Sequence, residues 1–162
     1  MTMRVLKIMG DVDIQINLPE DAEVTTVRLE DFINTDYGDL KFDIIACVHV
    51  LQTLWSHEVF DAIQKLVDTL ANKGELYIHV PGIEQAVKPL IKNTLDPVAF
   101  YLIWGSEKTP FHTGFTLMWL RQLVMKAGGI VRNANVGLFN LEYSGKKVKG
   151  IEHHLLATVV RD

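Results

Sequence analysis

Residues Phe42 to Pro81 read FDIIACVHVLQTLWSHEVFDAIQKLVDTLANKGELYIHVP, and they leave the chain few ways to fold. The stretch opens on a run of apolar, mostly β-favouring residues, Phe42 to Val50, in which Asp43 is the only charged side chain. A run of that kind suits a strand covered on both faces, as in the middle of a parallel sheet. Ser56 is placed to cap a helix, because its hydroxyl can accept from the free N–H groups of a first turn. Val59, Phe60, Ile63, Leu66, Val67 and Leu70 then recur at spacings of three and four, with Asp61, Gln64, Lys65 and Asp68 between them. That is one apolar stripe on a helix. Asn72-Lys73-Gly74 stops it, with Gly74 suited to the left-handed conformation after a helix end. Glu75 to Val80 reads as a second strand, ended by Pro81-Gly82. Strand, helix and strand within about forty residues make a βαβ unit, which implies an α/β sheet with helices on its faces.

The remaining segments fit that frame. Met3 to Met9 reads as a first strand ended by Gly10-Asp11, and Val12 to Leu18 alternates apolar and polar in the strand period. No helix fits between Gly10 and Val12, so the first strand is expected to turn straight into a second. Val24 to Leu29 is expected as another strand, followed by Glu30-Asp31-Phe32 in a loop or helix start. Ile83 to Lys92 has a helical stripe that Pro89 should distort or shorten. Asp96-Pro97 is a helix start, with Asp as cap and Pro at the first helical position. It introduces Val98 to Trp104, which is apolar on every side and must be covered by core, by a second copy of the chain or by serving as a lid. Thr116 caps a helix to Lys126 that Ala127-Gly128-Gly129 closes. Ile130 to Tyr143 and Ile151 to Val160 read as an antiparallel hairpin around Ser144-Gly145.

At 162 residues the chain is one domain of residues 1 to 162, long enough to bury a core. A net charge of −4 gives no global basic field for nucleic acid or anionic lipid. Lys146, Lys147 and Lys149 read as a solvated hairpin tip. Cys47, the single cysteine, excludes an internal disulfide and fits a reducing, cytoplasmic setting. It lies in the apolar strand and reads as a buried, inert thiol. No signal peptide or membrane span is legible, since Arg4 and Lys7 break the first apolar run and Val98 to Trp104 is too short.

Asp43, His49-Val50-Leu51 and Leu54 resemble the middle of class I S-adenosylmethionine-dependent methyltransferases, above all the methyltransferase-11-like proteins. FDIIACVHVLQTL, LANKGELYIHVP and FHTGFTLMWLRQLVMKAGG resemble three segments of that family, over roughly residues 42 to 129. The resemblance implies a three-layer Rossmann-like fold with a mostly parallel sheet and an antiparallel C-terminal hairpin, which the residues after Met9 make an N-terminally truncated version. It also implies S-adenosylmethionine as cofactor. In the family the first strand runs into a glycine-rich loop and a helix; the loop lets backbone approach the cofactor and the helix offers N–H groups to its carboxylate. Here LKIMGDVDIQINL keeps only Gly10 of that pattern, and Gln52-Thr53 stands where the family often has Glu-His. The resemblance makes Gly10, Glu30, Asp31 and His49 the cofactor-contacting positions. The bland alternative for Glu30 and Asp31 is a pair of solvated acids.

The histidines suggest a second kind of site. His49, His57, His79, His112, His153 and His154 show no helical H-x-x-x-H and no cysteine partners, so their spacing gives no zinc motif and no metal is expected. His153 and His154 are adjacent on a strand and should point to opposite faces. His49 and His79 fall at the carboxyl edge of their strands, where open α/β sheets bind ligands, and His112 lies in the family-like loop. These three form the expected functional surface, with His49 and His112 as candidate catalytic residues able to move protons near neutral pH. The alternative is that they are hydrogen-bonded structural histidines. Two functions follow. One is a methyltransferase-like protein with a degenerate cofactor site and a binding or assembly role. The other is an active methyltransferase acting on a small-molecule or sugar-related acceptor. Dimerisation through Val98 to Trp104 is expected in either case.

Overall fold

A computed structural model describes residues 2–10, 14–92, 97–143 and 145–162 of the chain. Its six strands form one sheet: β1 (Arg4–Met9), β2 (Glu23–Val27), β3 (Phe42–Val48), β4 (Leu70–Pro81), β5 (Ile130–Tyr143) and β6 (Lys146–Thr158). Their order is β2-β1-β3-β4-β6-β5. The first four are parallel; β6 runs antiparallel to both β4 and β5. A mixed α/β sheet with a closing antiparallel hairpin is therefore present, as the sequence implied. The apolar run of β3 lies between β1 and β4, and Ile45, Ala46, Cys47 and Val48 are fully buried.

Strand alternation divides the sheet into two faces. Leu6, Ile8, Ile45, Cys47, Leu76, Ile78, Leu155 and Ala157 point to one of them and form the main core. Three helices cover it: α1 (Leu29–Asn34), α2 (Ser56–Thr69) and α5 (Leu117–Lys126). They contribute Phe32, the α2 stripe of Val59, Ile63, Leu66 and Val67, and Leu120 with Val124. The remaining helices, α3 (Glu84–Ile91) and α4 (Pro97–Trp104), form a second cluster with Phe139 and Leu141 of β5. Phe139 and Leu141 share their face of β5 with Gly137, opposite Glu152, so α4 sits toward the other face, where β5 and β6 run past the end of β4. The start of α3 instead reaches the core side, with Glu84 against His153 and the N-terminus of α5.

Several local expectations change. The cap of α2 is Trp55 rather than Ser56: the Trp55 N–H donates to Glu58 Oε2 at 3.0 Å, and the Glu58 N–H donates to the Trp55 carbonyl at 2.9 Å. Ser56 is thus the first helical residue. At the other end, Lys73 takes the left-handed conformation (φ 62°) in place of Gly74. Gly74 is required for a different reason, because a Cβ there would lie 2.9 Å from the Asp43 carbonyl oxygen. The helix end is instead held by Arg161, whose guanidinium donates to the Val67 carbonyl at 2.6 Å and also to the Leu70 carbonyl. Lys41 Nζ donates to the Asp68 carbonyl at 2.9 Å, so two cations meet the negative end of the helix. Helix α3 runs past Pro89, which removes one backbone donor without ending the turn sequence.

Residues 14–19 do not form the strand expected over Val12 to Leu18; Asp11, Val12 and Asp13 lie outside the described residues, as do Asp96 and Ser144. The strand after β1 is β2, parallel to it, and a parallel pair needs a crossover that a hairpin cannot supply. Residues 14–17 belong to that crossover, and the expected straight turn into a neighbouring strand is corrected accordingly. Thr116 does cap α5, its Oγ1 accepting from the Trp119 N–H at 3.1 Å, and Gly128 closes the helix at φ 94°. The apolar α4 buries Ala99 and Leu102 but leaves Phe100 and Trp104 exposed and stacked on each other at 5.3 Å. No described helix is long and apolar enough to cross a membrane.

Arg161→Ala is expected to lower the unfolding free energy by about 1–3 kcal/mol, since charge-assisted bonds to helix-end carbonyls are lost. Urea denaturation checks this; Met125→Ala, at an exposed position, should change it by less than about 0.5 kcal/mol.

Candidate functional site

The carboxyl edge of β3 and β4 gathers the titratable groups. His49 follows the last residue of β3 at φ 52°, a conformation rare for a non-glycine residue, and its N–H donates to the His79 carbonyl at 2.9 Å. Gly10, at the end of β1, packs so closely behind it that a Cβ would stand 2.5 Å from the His49 carbonyl oxygen. On the other side, β6 runs back along β4 with His154 opposite His79 and Glu152 opposite Pro81. Residues 152 and 154 share a face, because they are two apart on a strand.

The result is one buried carboxylate surrounded by three imidazoles. His49 Nε2 lies 2.5 Å from Glu152 Oε2, and His154 Nε2 lies 2.5 Å from Glu152 Oε1. The His79 ring stacks on that of His154 with centroids 3.9 Å apart and planes 8° from parallel. Its Nδ1 is buried and has no hydrogen-bond partner, the nearest carboxylate oxygen being Glu152 Oε1 at 3.9 Å. Phe139 packs edge-on against His49 at 4.6 Å and closes the side toward α4. Burial opposes the charge on Glu152, but the hydrogen bonds from His154 and His49 outweigh it and hold the carboxyl at about 2. For His79, burial lowers the value first and His154 adds to that, so the ring is held down at about 4 despite Glu152.

Two clefts adjoin this cluster on the same face. One, of about 200 Å³, is lined by Tyr77, His79, Asn133, Asn135 and His154. The other, of about 350 Å³, lies between crossover residues Ile14, Gln15, Ile16 and Asn17 and the sheet residues Ile44 and Tyr77. That volume falls within the range of small-molecule sites.

Of the expected surface, His49 and His79 come together and His112 does not join them. His112 instead stacks on Trp55 at 4.0 Å, with its Nδ1 2.8 Å from the Thr53 carbonyl oxygen. His153 and His154 do point to opposite sides: His153 Nε2 pairs with Glu84 Oε2 at 2.5 Å, away from Glu152. Glu30 and Asp31 are exposed in the first turn of α1. Burial pushes the Cys47 thiol up to about 12, as expected of an inert core cysteine. Glu152 was not singled out from the sequence, although the alternation of Glu152 and His154 on a strand carried the signal.

No family model matches the chain, and no curated protein matches it in sequence. Solved structures do resemble it. An S-adenosylmethionine-dependent methyltransferase from Methanosarcina mazei has a TM-score of 0.65 at 14% identity, over 99% of this chain and 94% of that one. TehB from Haemophilus influenzae gives 0.52 at 13% identity, over 86% of this chain and 42% of that one. Magnesium protoporphyrin IX methyltransferase (ChlM) from Synechocystis PCC 6803, with bound SAH, gives 0.50 at 12% identity, over 86% of this chain and 52% of that one. The chain thus spans about half or less of the last two and nearly all of the first. The fold is that of the S-adenosylmethionine-dependent methyltransferases, which the Phe42–Pro81 pattern implied.

The charge pattern has a pH signature. A histidine held below its ordinary value takes up its proton more readily in the unfolded chain, so its contribution to stability is full above 6.5 and is lost as pH falls through about 4. Glu152 acts in the same sense, its contribution full above 4.5 and lost toward about 2. The urea midpoint is expected to fall as pH drops from 6.5 to about 4, and His79→Phe should flatten that limb. An unchanged slope in His79→Phe would assign the acid limb to other groups.

Proposed function

We propose that this chain is a binding or assembly module on a methyltransferase fold, with a degenerate S-adenosylmethionine site. One observation carries the reading. Between β1 and β2, residues 14–22 contain no helix, and residues 14–17 instead line a cleft over the sheet. An adenosyl cofactor beside β1 calls for a helix N-terminus with unpaired N–H groups, and the described residues offer none there. Gly10 has a structural explanation as well, since its missing side chain accommodates the His49 carbonyl rather than a ligand. Glu30 and Asp31, exposed on α1, fit the solvated alternative.

A second reading, methyl transfer to a small-molecule or sugar-related acceptor, is favoured by the His49–Glu152 pair at the carboxyl end of β3. In that reading S-adenosylmethionine binds beside Gly10, His49 handles the acceptor's proton, and positioning supplies most of the rate. His112, stacked on Trp55, is the other candidate for proton transfer. A cytoplasmic location without nucleic-acid partners accords with the single buried cysteine and the net charge of −4.

Calorimetric titration with S-adenosylmethionine and with SAH separates the two. The module reading expects no saturable heat at millimolar ligand; saturable micromolar binding would instead count against the degenerate site. For the assembly role, the exposed Phe100 and Trp104 are the proposed homodimer contact. Sedimentation should show a dimer that Trp104→Asp converts to monomer, whereas a monomeric parent chain would remove that contact.

A further inference from the structure

The Glu152 cluster holds more nitrogen donors than a buried carboxylate needs. His79, Glu152 and His154 each place one ligand atom within 4.8 Å of the others, and Glu152 Oε1 lies 3.9 Å from His79 Nδ1 and 2.5 Å from His154 Nε2. They come from β4 and β6, two paired strands that fix their relative positions. His79 Nδ1 points into this group, is buried and has no hydrogen-bond partner. An orphaned imidazole nitrogen costs desolvation energy with nothing in return from the protein's own groups.

From this geometry we propose that His79, Glu152 and His154 form a binding site for a divalent transition-metal ion of the zinc class. Two imidazoles and one carboxylate are a borderline-hard donor set that suits zinc over magnesium or calcium, which favour all-oxygen shells. Ligand atoms about 2.0–2.2 Å from a shared ion stand somewhat over 3 Å apart. The 2.5 Å contact of His154 with Glu152 therefore opens, and the stacked His79 and His154 rings turn out of parallel so that their in-plane lone pairs converge on the ion. His154 gives up its Nε2 proton to its Nδ1, and the lone pair so freed turns to the ion. His49 does not bind the metal in this arrangement. Its Nε2 keeps its hydrogen bond to Glu152 Oε2, orienting the carboxylate as an outer partner does at many metal centres.

Three protein ligands leave a coordination position unfilled, the arrangement of zinc sites that bind a water or an exogenous ligand. His79 and His154 also line the cleft of about 200 Å³ with Tyr77, Asn133 and Asn135, which would give such a ligand access. The site would take a small anionic or carbonyl-bearing ligand, with the two asparagine amides available to its oxygens. The inference does not depend on whether S-adenosylmethionine binds, because the donors lie on β4 and β6 and Gly10 lies at the end of β1.

The test uses the full chain, stripped with a chelator and equilibrated with Zn²⁺ alone. About one tightly held ion per chain is expected by elemental analysis, with Co²⁺ giving the visible absorption of a four-coordinate site in its place. His154→Gln should lose the bound ion; its side chain is 31% exposed, so the fold should survive, and an unchanged far-ultraviolet circular dichroism spectrum would confirm that. His79→Gln should lose it as well, whereas His57→Gln, at an exposed helix position, should retain it. Zinc held no more tightly by the parent chain than by His154→Gln would overturn the proposal. So would loss of the ion in His57→Gln.

Discussion

The pairing register of β6 against β4 governs both the core and the candidate site. With His154 opposite His79, Leu155 and Ala157 fall on the face covered by α2 and α5, and Glu152 and His154 fall on the other. Strand side chains alternate with a period of two, so a slip of one residue would turn Glu152 into the apolar core and Leu155 out of it. Burying an unpaired carboxylate among those aliphatic side chains is far costlier than exposing a leucine. The apolar core and the polar cluster thus enforce the same alignment from opposite sides of the sheet.

Much of the architecture was legible in the residues. The β3-α2-β4 unit follows from an apolar run, a stripe at helical spacing and a second strand, and α5 announces both of its ends through Thr116 and Gly128. The crossover after β1 was not legible in the same way. Val12 to Leu18 alternates like a strand, but residues 14–17 of it line a cleft over a sheet face. Period alone does not tell a strand from a chain that packs one side against a surface. At the helix ends the ambiguity was of another kind. Ser56 and Gly74 are good local candidates, yet Glu58 and the distant Arg161 supply the hydrogen bonds that fix α2.

The site shows the same division. His49 and His79 could be placed at the carboxyl edge from strand position alone, and there they are. Their partner could not, because Glu152 is 103 residues beyond His49 and reaches it only through the antiparallel return of the last strand. Spacing motifs for metals or acid–base pairs register neighbours on one element. Donors that converge from three strands leave no such trace. His112 shows the converse: its place in a family-like segment suggested membership of the cluster, whereas the nearby Trp55 ring and Thr53 carbonyl hold it.

The position of β6 between β4 and β5 has a consequence for how the chain is made. Synthesis proceeds from the N-terminal end, so β4 and β5 emerge from the ribosome before the strand that joins them. Until residues 146–158 appear, the β4 edge that carries Tyr77 and His79 has open backbone donors and acceptors. The nascent protein can fold β1 to β4 with α2 early, but it must keep that edge from neighbouring chains while the rest is translated. Lys73 and Glu75 at the start of this edge place charge where a foreign strand would begin to pair, a local guard during the wait.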